Sequence, residues 1–275
     1  MVMKGKRFLS LPVLAVLLSM FFVYYTTIFV FLDDWVGLQS SPGTLNFSIF
    51  TVFASLCLFS FFVCVFTDPG RVPSSYVPDV EARTHDFAKD RAEGKKCDKC
   101  FAYKPPRTHH CRVCRRCILK MDHHCLWINN CVGYWNYKAF FAFTLYASVA
   151  SAYSTVLFIS CVLQKDWEPI KGSSLKLFYV MYGLMVVALT ITLSTLSGWH
   201  VYLILHNMST IEYYEGNRAK WLAMKSGQSY RHPFNIGAYK NITLILGPNM
   251  LKWLCPTAVS HLKDGVSFPT SRDNS

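Results

Sequence analysis

Between Cys97 and Cys131 the chain carries seven cysteines and four histidines in 35 residues, CDKCFAYKPPRTHHCRVCRRCILKMDHHCLWINNC. Thiolate and imidazole are ligands that zinc favours, and closed tetrahedral sets of them are the usual form of structural zinc sites. Cys97, Cys100, His110 and Cys117 follow the spacing C-x2-C-x9-H-x6-C, and adding 14 to each position gives Cys111, Cys114, His124 and Cys131 with the same spacing. Each set supplies three thiolates and one imidazole, so the segment reads as two interleaved sites for structural Zn2+. A segment of 35 residues buries too little apolar surface to fold unaided. The metals are expected to supply the missing stability, and the segment to be unfolded without them.

Eight of the eleven Cys and His residues are spent in this way, leaving His109, His123 and Cys125. A further step of 14 from Cys111 reaches Cys125, but the positions that would complete a third set are Ile128, Lys138 and Leu145, none of them a zinc ligand. Cys125 is therefore an unspent thiol on a metal-stiffened frame, preceded by Asp122 and His123. Only the thiolate attacks well, and a free thiol has a pKa near about 8.5. An imidazole able to take the proton, and a carboxylate able to orient that imidazole, complete a nucleophile, base and orienter. Seven basic residues against two acids within 97–131 add a positive setting. The competing reading is an inert buried thiol beside a packing histidine; the local pattern favours catalysis over it.

The elements that must position this cluster are apolar. Hydrophobic residues make up 52% of the 275 and charged residues only 16%, below the roughly 25% typical of soluble domains. The apolar residues fall in four blocks long enough to span a bilayer, which takes roughly 20 residues. These are 8–32, 46–66, 139–163 and 175–205. Residues 1–7 carry Lys4, Lys6 and Arg7. The apolar run after them is too long for a signal peptide and lacks a small-residue cleavage site, so it reads as a retained first span. The segment 33–45 holds two acids and no base and reads as a short lumenal loop; 164–174 reads as a second such loop. The Asn46-Phe-Ser sequon falls where the second span begins, and is expected to be unused.

The net charge of +12 could suggest nucleic acid, but its distribution argues against that partner. Of 28 Lys and Arg, 14 lie between Arg71 and Lys138 and 8 more follow Asn207, which places loop 67–138 and region 206–275 on the cytosolic side of the membrane. In the cytosol thiols stay reduced, so disulfides give way to metal binding or catalysis. Residues 71–96 read as a loose polar linker, and the tail from Ser267 as disordered. The fold class is thus an all-α integral membrane protein with four transmembrane helices and a cytosolic, zinc-stabilised cysteine-rich domain (97–140) between helices 2 and 3. A thiol held near the cytosolic membrane face suits a substrate with a reactive head and a long hydrocarbon tail, such as a fatty-acid thioester. Helices could hold the tail, and basic residues a phosphate-rich leaving group.

The cluster closely resembles the cysteine-rich domain of the DHHC family of protein S-acyltransferases (palmitoyltransferases). The family pattern C-x2-C-x9-H-C-x2-C-x2-C-x4-D-H-H-C-x5-C-x4-N-x3-F is matched throughout, ending at Asn136 and Phe140. Asp68-Pro69-Gly70 matches the family's DPG motif, and Ser209-Thr210-Ile211-Glu212 its TTxE motif with Ser for the first Thr. Lys240-Asn241 through Gly247, with Trp253 to Pro256, resembles its C-terminal PaCCT motif, and the wording is most similar to plant members.

The resemblance implies that Cys125 takes a fatty acyl group, typically palmitoyl, from acyl-CoA as a thioester and passes it to cysteines of membrane-associated protein substrates. His123 would be the base, Asp122 its polarising partner, and His124 a zinc ligand. Trp127 matches a position near the acyl thioester, and Glu212 and Asn241 match positions that support the cytosolic assembly. Four spans with basic flanks put both termini in the cytosol, and the setting expected is an endomembrane bilayer (Golgi, ER or plasma membrane). A non-catalytic zinc-finger membrane adaptor is the alternative, but it leaves Cys125 and its Asp and His unexplained. A thiol-redox protein would want a resolving partner, whereas Cys57, Cys64 and Cys161 lie within the expected spans; Cys255 is either a core residue or itself acylated.

Overall fold

Four helices long and apolar enough to cross a membrane occur among residues 10–78, 96–165 and 173–271, which the computed structural model describes. They are α1 (Leu11–Val36), α2 (Ser41–Phe66), α3 (Tyr137–Gln164) and α4 (Ser173–His206). The N-terminal stretch 1–7 lies outside the described residues, as do 79–95 of the expected linker, 166–172 of the second short loop and 272–275 of the tail. The first loop is shorter than expected, because Asp33–Val36 continue α1 and α2 already begins at Ser41. Two acids do not stop a helix. Gly37 does, at φ 71°, and Pro42 in the first turn suits the restart.

One compact unit lies within Leu9–Phe62 and Phe141–His200. Its aromatic core centres on Phe31, whose ring meets Phe158 at 5.0 Å, Tyr179 at 5.1 Å and Tyr182 at 4.7 Å. Hydroxyls buried among these helices find one another, Thr27 Oγ1 lying 2.7 Å from Ser154 Oγ and 3.0 Å from Tyr182 OH. Thr27 is the second residue of a π-helical stretch, Thr26–Leu32, and also donates to the Val23 carbonyl at 2.6 Å. In an apolar span such polar groups stay only where they pair, and here they link three helices.

The second unit lies within Val63–Phe140 and Val201–Ser275 and holds the cysteine-rich segment. That segment forms three two-stranded antiparallel hairpins: β1 (Lys96–Cys97) with β2 (Ala102–Tyr103), β3 (His109–Cys111) with β4 (Arg116–Ile118), and β5 (His123–Cys125) with β6 (Asn130–Val132). The 14-residue repeat is also their register. Cys97 faces Ala102, Cys111 faces Arg116 and Cys125 faces Asn130. Phe101, Arg115 and Asn129, again 14 apart, take the left-handed conformation that turns each chain back.

The hairpins are tied to the end of α2 by Asp68-Pro69-Gly70. Asp68 accepts a bidentate pair from Arg116 at 2.8 and 3.1 Å, Leu119 N donates to Gly70 O, and Trp135 N donates to Pro69 O. Gly70 has φ 118°, and a Cβ there would come within 3.2 Å of both Trp135 and Leu119, so only glycine fits.

At the far end of α4, Asn207 adopts φ 48°, and two backbone bonds, Asn207 N to Ile204 O and Met208 N to Leu203 O, close a Schellman-type stop. A new helix, α5 (Thr210–Lys225), follows at once because Ser209 caps it. Its hydroxyl accepts from Glu212 N, while Glu212 Oε2 accepts from Ser209 N. Helix α6 (Ala238–Leu246) is held to α4 by Asn241, whose amide donates to Leu205 O at 2.7 Å.

Candidate active site and metal centres

Both expected ligand sets are gathered. In each, one donor atom from every residue lies within 4.8 Å of the others, for Cys97, Cys100, His110 and Cys117 and for Cys111, Cys114, His124 and Cys131. His110 Nδ1 is 3.5, 3.3 and 3.9 Å from the three sulfurs of its set, and His124 Nδ1 is 3.6, 3.5 and 3.4 Å from those of its own. A tetrahedron with metal–sulfur near 2.3 Å and metal–nitrogen near 2.0 Å has S···N edges of about 3.5 Å. The donors thus fit zinc in both number and spacing. Their chemistry agrees. Burial, followed by the neighbouring thiols Cys97 and Cys100, pushes Cys117 up to about 12. Cys114 and then burial raise Cys131 far above the thiol range. Thiols packed this closely ionise together only around a cation.

The third hairpin has the first cysteine of the pattern without the rest. Cys125 stands where Cys97 and Cys111 stand, with Ile128 where the others have Cys100 and Cys114. The sulfur is therefore not drawn into a metal set. Asp122, His123 and Cys125 come together around it. His123 Nδ1 is 2.7 Å from Asp122 Oδ2, and the Cys125 thiol is a hydrogen-bond partner of the same ring. With Nδ1 committed to the carboxylate, Nε2 is the nitrogen left for the thiol. Burial opposes charge on the imidazole, but the bonds to Asp122 and Cys125 outweigh it and raise His123 to about 9. Cys125 is 8% exposed and Asp122 fully buried. Phe140 packs edge-on against the His123 ring at 5.2 Å, fixing its plane. Trp127 is not drawn into this cluster: together with Leu126 it is exposed in the β5–β6 turn, two residues past the thiol.

Residues from the C-terminal region close the site from behind. Thr210, the first residue of α5, donates from N to Asp122 Oδ1 at 2.8 Å and from Oγ1 to Asp122 Oδ2 at 2.9 Å. Two residues on, Glu212 takes two bonds from Arg107, at 2.6 and 2.7 Å. Arg107 also donates to Asn207 Oδ1 and Asn207 O, and its guanidinium lies over the rings of Phe234 and Phe268 at 4.4 and 5.0 Å. Phe268 belongs to the tail expected to be disordered. That tail is placed as far as Thr270 and Ser271, because the ring has a buried cation to cover and Ser271 N reaches Pro233 O. Sequence reasoning set Glu212 and Asn241 in the assembly but gave no partner to Thr210 or Arg107. The only signal for Thr210 was its place inside the Ser209–Glu212 motif, and Arg107, among the unspecified positions before His110, carried none.

Comparison with known proteins agrees with this geometry. The family profile for DHHC palmitoyltransferase matches residues 90–217. The chain is 62% identical over 253 residues to probable protein S-acyltransferase 15 of Arabidopsis thaliana, covering 92% of this chain and 99% of that protein. It is 51% identical over 276 residues to probable protein S-acyltransferase 16 of the same plant, covering 98% and 96%. The chain belongs to the DHHC palmitoyltransferase family. A human relative, palmitoyltransferase ZDHHC2, is 37% identical over 175 residues, 63% of this chain and 46% of that protein. By family, then, this is a protein S-acyltransferase with a multi-pass membrane anchor, and the zinc-finger adaptor reading is set aside.

Proposed function

We propose that this acyltransferase takes a fatty acyl group from acyl-CoA onto Cys125 and delivers it to cysteines of membrane-associated proteins at the cytosolic face. His123, bonded to both Asp122 and Cys125, is the single observation that carries this reading. In the first half-reaction the Cys125 proton moves to His123, and the thiolate attacks the thioester carbonyl. The carbon–sulfur bond to CoA breaks, and CoA leaves with the proton from His123. In the second, a substrate thiol gives its proton to His123 and attacks the acyl-Cys125 thioester, and Cys125 departs as a thiolate that recovers the proton. A base raised to about 9 keeps the proton at neutral pH until a leaving thiolate claims it. Asp122 fixes the tautomer of the neutral imidazole and stabilises the imidazolium that forms, as in other nucleophile–base–carboxylate sites.

The zinc ligands are Cys97, Cys100, His110 and Cys117 in one site and Cys111, Cys114, His124 and Cys131 in the other. Four protein ligands leave no open position for water, so the metal supplies folding energy rather than chemistry. Exposed Leu126 and Trp127 beside the thiol suit contact with an acyl chain. The cytosolic orientation, with both termini on that side, rests on the basic residues of 71–138 and of the region after Asn207. An endomembrane bilayer (Golgi, ER or plasma membrane) is the setting proposed.

Solubilised protein incubated with an alkyne-tagged palmitoyl-CoA is expected to gain a hydroxylamine-sensitive label that is lost in Cys125→Ser. A Cys125→Ser protein labelled as strongly as wild type would sink the assignment. His123→Ala is expected to lose the label while keeping two zinc ions, and zinc loss there would mean that the ligand sets are wrongly divided.

A further inference from the structure

We propose that Asn130 is a positioning residue for Cys125, tying the nucleophile's hairpin to the last turn of α2 and so setting the thiol at the end of a membrane span. The proposal rests on the reading of Cys125 as the acyl carrier. Asn130 is the residue opposite Cys125 in the β5–β6 register, so the two backbones are about 4.5–5.5 Å apart. Its side chain is fully buried. Its Nδ2 donates to Cys64 O at 3.1 Å and to Thr67 O at 2.9 Å, while its Oδ1 accepts from Cys131 N at 3.0 Å.

Cys64 O is one of the last four carbonyls of α2, which have no partner within the helix. A cap for them could come from any donor. Here it comes from the residue facing the free thiol, and the repeat shows that this is no accident of one hairpin. One step of 14 earlier, the residue facing Cys111 is Arg116, and it too grips the end of α2, through Asp68. Two successive hairpins are thus clamped to residues 64–68 by the same repeat position. In one the facing cysteine is a zinc ligand, and in the other it is the nucleophile.

An acyl chain dissolved in the membrane presents its thioester at a depth set by the bilayer. A thiol that must meet it needs its own height fixed against a span, and a 1 Å error can cost about a hundredfold in rate. A short-chain donor, free to approach from water, makes no such demand. Chain-length dependence therefore separates positioning from mere support of the fold.

The test uses the full-length protein carrying Asn130→Asp, which removes both amide donors without changing size, and Asn130→Ser, which keeps one shorter donor. Zinc content, alkylation of Cys125 by iodoacetamide followed at the Cys125 peptide, and single-turnover loading from palmitoyl-CoA and from acetyl-CoA are measured. Two zinc ions and wild-type alkylation are expected, with palmitoyl loading at least about tenfold slower and acetyl loading within about threefold of wild type. Equal losses with both donors, or wild-type rates with both, would overturn the proposal. So would loss of zinc in both variants, since Asn130 would then only support the metal frame. A wild-type protein that takes no acyl group from either donor overturns the Cys125 reading itself, and this proposal with it.

Discussion

Asp122 carries two loads with two oxygens. Oδ2 serves His123 and also accepts the Thr210 hydroxyl, and Oδ1 accepts the Thr210 amide. The carboxylate is fully buried, and the donors that surround it hold it in the plane that His123 needs. Thr210→Val removes one donor and keeps the backbone bond. A hydrogen bond to a charged group is worth about 1.5–3 kcal/mol, so single-turnover loading of Cys125 is expected to slow by roughly ten- to a hundredfold. Zinc content is expected to be unchanged, and Thr210→Ser to restore most of the rate. Wild-type loading by the Val variant would remove Thr210 from the positioning of Asp122. The cluster of Asp122, His123 and Cys125 was legible in the sequence because its members are near neighbours in the chain, at and just before β5, where geometry is local. Thr210 lies 88 positions away, and no spacing rule links a helix start to a carboxylate across such a distance.

Among the elements, the short α5 depends on partners. Its capping box gives it a start, and the pair Arg107–Glu212 fastens that start beneath the site, with both side chains nearly inaccessible. Burial would raise the Glu212 carboxyl, but Arg107 outweighs it and lowers the group from its ordinary value of 4.5 to about 2. A depressed carboxyl contributes stability that is fully present above its unfolded pKa and is lost as pH falls through the folded one. The window is therefore from 4.5 down to about 2, and the amount at stake is on the order of 3 kcal/mol. Thermal melts across that window are expected to fall more steeply for wild type than for Glu212→Gln, which starts lower because it leaves Arg107 buried without a counter-charge. Acid loss of zinc is common to both proteins, so the difference between them is the readout, and parallel curves would count against the clasp. The membrane helices were legible because an apolar block of bilayer length has few other uses. The hairpins were latent in the 14-residue repeat, which encodes their register. What the repeat could not reveal is that Arg116 and Asn130 reach out of it to the end of α2, since those contacts depend on how the chain returns after Phe66.

For the molecule as a whole, two kinds of solvent ask for two kinds of stability. A spanning helix satisfies its own backbone hydrogen bonds in an apolar medium, so α1 to α4 hold their secondary structure without help from the cysteine-rich segment. The hairpins are the opposite case. Their strands are two or three residues long, and thiols gathered on them, Cys117 and Cys131 among them, are held above the ordinary thiol range, so they ionise together only around a cation. Structural zinc in small fingers contributes about 10–16 kcal/mol, far more than six such strands can gain by pairing. Removal of metal is therefore expected to split the response of the chain. Wild-type protein in detergent should contain two zinc ions per chain by elemental analysis. After prolonged chelation, trypsin should cut at Arg107, Arg112, Arg115 and Arg116, while the far-UV circular dichroism of the helices persists and Cys125 loading is abolished. Readdition of zinc alone should restore both protection and loading. A chelated protein that kept a protease-resistant segment from Cys97 to Cys131 would show that packing, not metal, holds the frame on which the thiol is mounted.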